Sequence, residues 1–117
     1  MQRVLIIGLD PRGLPGVDAA TVGRGLAHGL ERVQRAGYEV EQLLVPLDES
    51  APTRIERAVT SRSWDVIVVG GGIRKPEPLL ELFEGVVNLI RTGAPGAKIA
   101  FNTDGGSSLE AIRRVAA

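Results

Sequence analysis

Hydrophobic residues along this chain fall into two kinds of run. Two segments are apolar without a break, residues 3–9 (RVLIIGL) and 65–69 (DVIVV). Continuous β-branched and leucine runs of this length are expected of strands covered on both faces. Two others are mixed: residues 38–45 (YEVEQLLV) alternate before turning apolar, and 98–102 (KIAFN) is short. Half-polar strands suit the edges of a sheet. Between the strands the spacing changes to that of helices. Val22, Leu26, Leu30 and Val33 share one face of a helix over 19–36, with Asp18 as its N-cap and Gly37 as its left-handed stop. Gly23, Gly25 and Gly29 in that helix imply close approach to the sheet. Ile55, Ala58 and Val59 define a second helix, opened by a Thr53/Glu56 capping box. A third covers about 77–92, with Pro76 or Pro78 in its first turn and Gly93 at its end. A fourth, opened by a Ser107/Glu110 capping box, runs through Val115.

The order is thus βαβαβαβα, which predicts an α/β three-layer sandwich on a parallel sheet with right-handed crossovers. Placing the apolar strands centrally gives strand order 2-1-3-4, a flavodoxin-like or Rossmann-like layout lacking the fifth βα unit. The 117 residues make one domain, large enough to bury roughly two thirds of the surface of the open chain.

In such sheets ligands collect beyond the carboxyl ends of the strands, where strand order reverses. Here that point lies between the first and third strands. The first loop brings Asp10 and Arg12, and the third brings Gly70, Gly71, Gly72, Arg74 and Lys75. Asp48 and Glu49 come from the second, and residues 102–108, including Asn102 and Thr103, from the fourth. Three glycines before a helix leave backbone N–H groups able to hold an anion, with Arg74 and Lys75 adding charge. The same glycines also suit a turn needing positive φ and close helix packing. The expected ligand is therefore a small anionic or polar molecule held by Asp10, Arg12, Gly70, Gly71, Gly72, Arg74, Asn102 and Thr103. The 10–17 loop, with two prolines and two glycines between residues 11 and 17, would serve as a partial lid.

Chemistry beyond binding has no visible carrier. Neither GxGxxG nor GK[ST] follows a strand, and no serine sits in GxSxG. Asp10 stands where receiver domains carry an acid, but no second acid adjoins it and the third strand ends in glycine. It is expected to shape its loop. Cysteine is absent and His28 is the single histidine, on the solvated face of the first helix, which leaves no metal-ligand set. The reaction type and any cofactor stay unassigned.

Charge balances at 14 against 14, which argues against a nucleic-acid or acidic-membrane surface. No apolar run approaches ~18 residues, and strand-like sequence starts too early for a signal peptide, so a cytoplasmic setting is expected. Residues 79–90 are unusually apolar: Leu79, Leu80, Leu82, Phe83, Val86, Val87, Leu89 and Ile90 leave only a narrow polar stripe. An apolar arc this much wider than the ~100° of a surface helix predicts a homodimer through Leu80, Phe83, Val87 and Ile90. The alternative function is accordingly a non-catalytic interaction or regulatory module working through that helix.

The segments RVLIIGLDP, VIVVGGGIRKPEPLLELFEGVVN and APGAKIAFNT resemble a family of small uncharacterised bacterial α/β proteins of about this length. The positions that carry the resemblance are Gly71, Arg74, Phe83, Glu84, Asn88, Asn102 and Thr103. It implies the fold and no activity.

Overall fold

The computed structural model describes residues 2–116. Four strands, β1 (Arg3–Leu9), β2 (Glu39–Val45), β3 (Val66–Val69) and β4 (Lys98–Phe101), form one parallel sheet in the order β2-β1-β3-β4. Five helical segments accompany them: α1 (Ala19–Arg35), α2 (Ala51–Thr60), the single turn α3 (Gly71–Arg74), α4 (Leu80–Gly93) and α5 (Ser108–Val115). This is the expected flavodoxin-like sandwich without a fifth strand. The unbroken apolar strands are the central ones, paired from Val4↔Val66 to Ile7↔Val69. On the other side of β1, β2 pairs along its whole length, from Arg3↔Glu39 to Leu9↔Val45.

Strand periodicity divides the core in two. Successive side chains point to opposite faces, so Val4, Ile6, Val66 and Val68 pack with Val33 of α1 and with Leu109, Ala111 and Ile112 of α5. Leu5, Ile7, Ile67 and Val69 face the other way, onto Ile55 and Val59 of α2 and Val86 and Ile90 of α4. Trp64 closes that second layer at the foot of the sheet, its indole N–H donating to Ala58 O at 2.9 Å.

Helix α1 begins as its sequence requires. The Asp18 carboxylate accepts from Ala20 N and Thr21 N, and Gly37 beyond the last turn has φ of +95°. The other expected caps are replaced. Helix α2 opens at Ala51 with Ser50 rather than Thr53 at its N-cap, three residues early, where Asp48 accepts from both Ser50 N and Ser50 Oγ and turns the chain. Pro52 then occupies the first turn, where no N–H is needed. Helix α5 has no capping box: Ser107 Oγ accepts from Thr103 N and Asp104 N, and Glu110 reaches Arg32 instead. Between β3 and α4 the expected glycine loop is itself a helical turn, α3, followed by a 3-10 turn at Glu77–Leu79. Gly93 ends α4 from within. A β-carbon there would lie 3.1–3.2 Å from Thr60 and Val59, so the residue lets α4 approach α2.

The apolar excess of α4 is smaller in three dimensions than along the chain. Ile90 is fully buried, and Phe83 is half-buried with its ring 5.9 Å from that of Phe101. Val87 is half-buried as well, which leaves Leu80, at 54% exposure, as the open member of the expected dimer face. Of the α1 glycines, only Gly29 is needed for close approach, and its neighbour is a loop rather than the sheet. A β-carbon at Gly29 would fall 1.9 Å from Gly105 O, whereas at Gly23 and Gly25 it would meet nothing within 4 Å.

Gly29→Ala is therefore expected to destabilise the fold by about 1–3 kcal/mol, as over-packing against backbone does. Gly25→Ala, at a site with open space, gains helix propensity of up to about 1 kcal/mol. Thermal or urea unfolding of the pair checks both signs.

Candidate functional site

The tips of β1 and β3 lie side by side, and Gly70 N donates to Ile7 O at 2.8 Å. Above them opens a cleft of about 470 Å³. Its floor is backbone: Gly8 and Leu9 ending β1, then Gly70, Gly71 and Gly72, with Asn102 beyond β4. The first two of these three positions are tightly packed, and a side chain there would press on a neighbouring carbonyl. A β-carbon at Gly70 would stand 3.1 Å from Ile7 O, and one at Gly71 3.0 Å from Thr103 O. Positive φ is found at Gly13, Gly16 and Gly37 and not here. Gly72 is different, with nothing within 4 Å of a β-carbon.

The walls are apolar. Leu14, Pro15 and Val17 come from the 10–17 loop, Val22 and Leu26 from the first turns of α1, and Leu47 from the loop after β2. Pro76, Pro78 and Leu79 close the α4 side, and Asp104 with Gly105 closes the α5 side. Among the described residues the exposed large hydrophobic side chains are Val17, Val22, Leu47 and Leu80. The first three line this cleft, and Leu80 follows directly on the lining residue Leu79. Exposed apolar surface gathered around a concavity is a common feature of ligand-binding sites.

The expected site residues divide into two groups. Gly70, Gly71, Gly72 and Asn102 line the cleft. The Asn102 amide is already committed: Oδ1 accepts from Gly71 N at 2.8 Å and Nδ2 donates to Ser108 Oγ at 3.1 Å, both buried. Asp10 and Arg12 lie outside, paired with each other through three side chain to side chain hydrogen bonds of 2.7–3.2 Å and a backbone one from Arg12 N at 3.0 Å. They belong to a shallower depression with Gly23, Leu30 and Gln42. Arg74 Nη2 donates to Asn102 O at 3.0 Å, with its guanidinium 5.9 Å from the Phe101 ring centre. Lys75 Nζ donates to Thr103 O, and the Thr103 hydroxyl meets Ser107 Oγ. Of the cations expected to receive an anion, Arg12 is ion-paired with Asp10, whereas Arg74 and Lys75 direct N–H groups at the carbonyls beyond β4 and Arg74 Nε is buried without a hydrogen-bond partner among the described residues. The backbone offers little replacement, because Gly71 N is satisfied and a four-residue turn sums few peptide dipoles.

Electrostatics at this end of the molecule is dominated by fixed pairs. The Arg12 guanidinium and the Arg12 backbone N–H hold Asp10 at a pKa of about 2, below its ordinary 3.8. A carboxylate so readily ionised is a poor general base near neutrality. Arg32 of α1 grips Glu110 of α5 with both terminal nitrogens and also donates to Gly106 O at 2.8 Å. The pair ties the two helices together behind the Gly105 wall, and its hydrogen bonds lower Glu110 from 4.5 to about 2.

Leu14, Val17, Val22, Leu47 and Leu79 were not among the expected site residues. Their signal was present in the chain as large apolar residues in or next to strand-end loops, where polar turn residues are the norm. Asp104 falls within the segment expected at the mouth, and its role as a wall comes from the turn that follows β4. Among the described residues no three His, Asp or Glu side chains are grouped to hold a metal ion, and no helix is long and apolar enough to cross a membrane.

Fold and site together define a small three-layer α/β domain with a ligand-sized, mainly apolar cleft at the carboxyl end of its sheet. In comparisons with known proteins, no family model matches the chain and no curated protein matches it.

The Arg32–Glu110 pair has a pH signature. A carboxylate with a lowered folded pKa contributes stability above its unfolded pKa and loses it as protons bind. For Glu110 the loss spans pH 4.5 down to about 2. Glu110→Gln is expected to lower the melting temperature at neutral pH and to flatten the fall in stability across that window, which acid titration of thermal unfolding measures.

Proposed function

We propose that this protein binds a small molecule in the cleft above β1 and β3, with the ligand's apolar body against the walls and its polar end toward the backbone floor. One observation carries the reading. Three of the four exposed large hydrophobic side chains among the described residues, Val17, Val22 and Leu47, line one concavity of about 470 Å³ at the strand-order reversal. That volume falls within the range of about 300–1,000 Å³ typical of small-molecule sites. The chemistry of the lining favours binding over catalysis, since Asp104 is its one ionisable side chain and no hydroxyl or imidazole is present there. The 10–17 loop supplies four lining residues, Pro11, Leu14, Pro15 and Val17, and Leu14 N→Pro11 O and Val17 N→Leu14 O, at 3.4 Å each, are its long internal backbone hydrogen bonds. A segment so lightly tied can adjust over a bound molecule at little cost.

The reading is tested by titrating a neutral apolar probe, naphthylethanol, into the labelled protein and following amide NMR shifts. Shifts concentrated at Leu14, Gly70, Gly72 and Asp104 are expected. Gly72→Leu, which places a side chain in open space at the floor, is expected to abolish them while leaving the unfolding transition within about 1 kcal/mol of wild type. Scattered shifts, or equal binding by Gly72→Leu, would count against the cleft.

A further inference from the structure

Among the described residues one charged side chain lines the cleft, and that bears on what enters it. Asp104 is the charged side chain of the lining. Its own turn holds it in place: Oδ1 accepts from Gly106 N at 2.8 Å, Asp104 N donates to Ser107 Oγ at 3.2 Å, and Ser107 N donates to Asp104 O at 3.3 Å. Oδ2 makes no hydrogen bond among the described residues, and Asp104 is in no ion pair there. On the opposite wall, Glu77 sits exposed between the lining residues Pro76 and Pro78. The basic residues of this region do not line the cleft: Arg12 is ion-paired with Asp10, while Arg74 and Lys75 keep their charge but direct it at Asn102 O and Thr103 O.

We infer that the cleft selects organic cations, molecules with an apolar body and a protonated amine head, and that Asp104 is the counter-charge. The inference rests on the cleft-binding reading above and adds the ligand's charge to it. The apolar walls exclude water from the ligand's body, while the pre-set Oδ2 accepts from the ammonium at the α5 edge of the mouth. An anionic head placed at the same point meets the same carboxylate and is repelled.

The test uses three molecules of one shape: naphthylethylamine, naphthylethanol and naphthylacetate, titrated into the full chain by amide NMR at neutral pH. The amine is expected to bind about two- to fivefold more tightly than the alcohol, the range of an ion pair at a partly exposed site, and the acetate more weakly than either. Asp104→Asn keeps an oxygen for Gly106 N and removes the charge. It is expected to bring amine and alcohol to equal affinity. Equal binding of amine and alcohol to wild type overturns the inference and leaves the cleft reading standing, as does an amine preference that survives Asp104→Asn. Preference for the acetate also overturns it. Failure of all three molecules to bind overturns both.

Discussion

The carboxyl end of this sheet is organised by one buried amide. Asn102, just past β4, accepts from Gly71 N and donates to Ser108 Oγ. It thereby joins the turn after β3 to the start of α5 across the face where strand order reverses. Both partners are buried, and water cannot substitute. A backbone N–H left without an acceptor in such a place costs about 1–3 kcal/mol. Asparagine offers an acceptor and a donor on one short side chain, which is what two partners on different elements demand. Arg74 then settles on Asn102 O and Lys75 on Thr103 O, so the same corner also fixes where two cations point.

The cleft follows from that corner and from two close backbone contacts. Gly70 lies against Ile7 O and Gly29 against Gly105 O, so the floor and the α1–α5 wall are set by main-chain atoms. Main chain does not change rotamer, and a floor built of it keeps its shape. The apolar residues that could have closed over it are held apart. Val22 and Leu26 ride on α1, Leu47 follows β2 and Leu79 precedes α4, each anchored by an element packed on the sheet below. The result is exposed grease with a fixed frame.

Much of this fold is legible in the chain, for reasons that can be named. Apolar continuity in β1 and β3 and its interruption in β2 and β4 give the strand order, because burial on two faces or one is a local property of sequence. Asp18 and Gly37 are equally local, acting on N–H groups or φ angles within three residues. The site is less legible because its polar residues choose partners at long range. Nothing near Arg74 in sequence indicates a carbonyl 28 positions away, and Glu110 has an attractive cap partner in Ser107 until Arg32 is brought beside it. The glycines at 70–72 suggest an anion cradle when read alone. In space two of them are spacing residues and one faces an open cleft. For α4 the lesson is similar, since Phe83 and Ile90 look available until Phe101 and the sheet are placed beneath them.

Asn102 is the point on which the account turns, and amide hydrogen exchange in Asn102→Ala examines it most directly. Gly71 N has a side-chain acceptor while its neighbour Gly70 N has a strand carbonyl. The account predicts that the variant unfolds with about 1–3 kcal/mol less stability, and that under native conditions the Gly71 amide loses protection far beyond this global change while Gly70 follows it. Unaltered protection at Gly71, or stability equal to wild type, would contradict it.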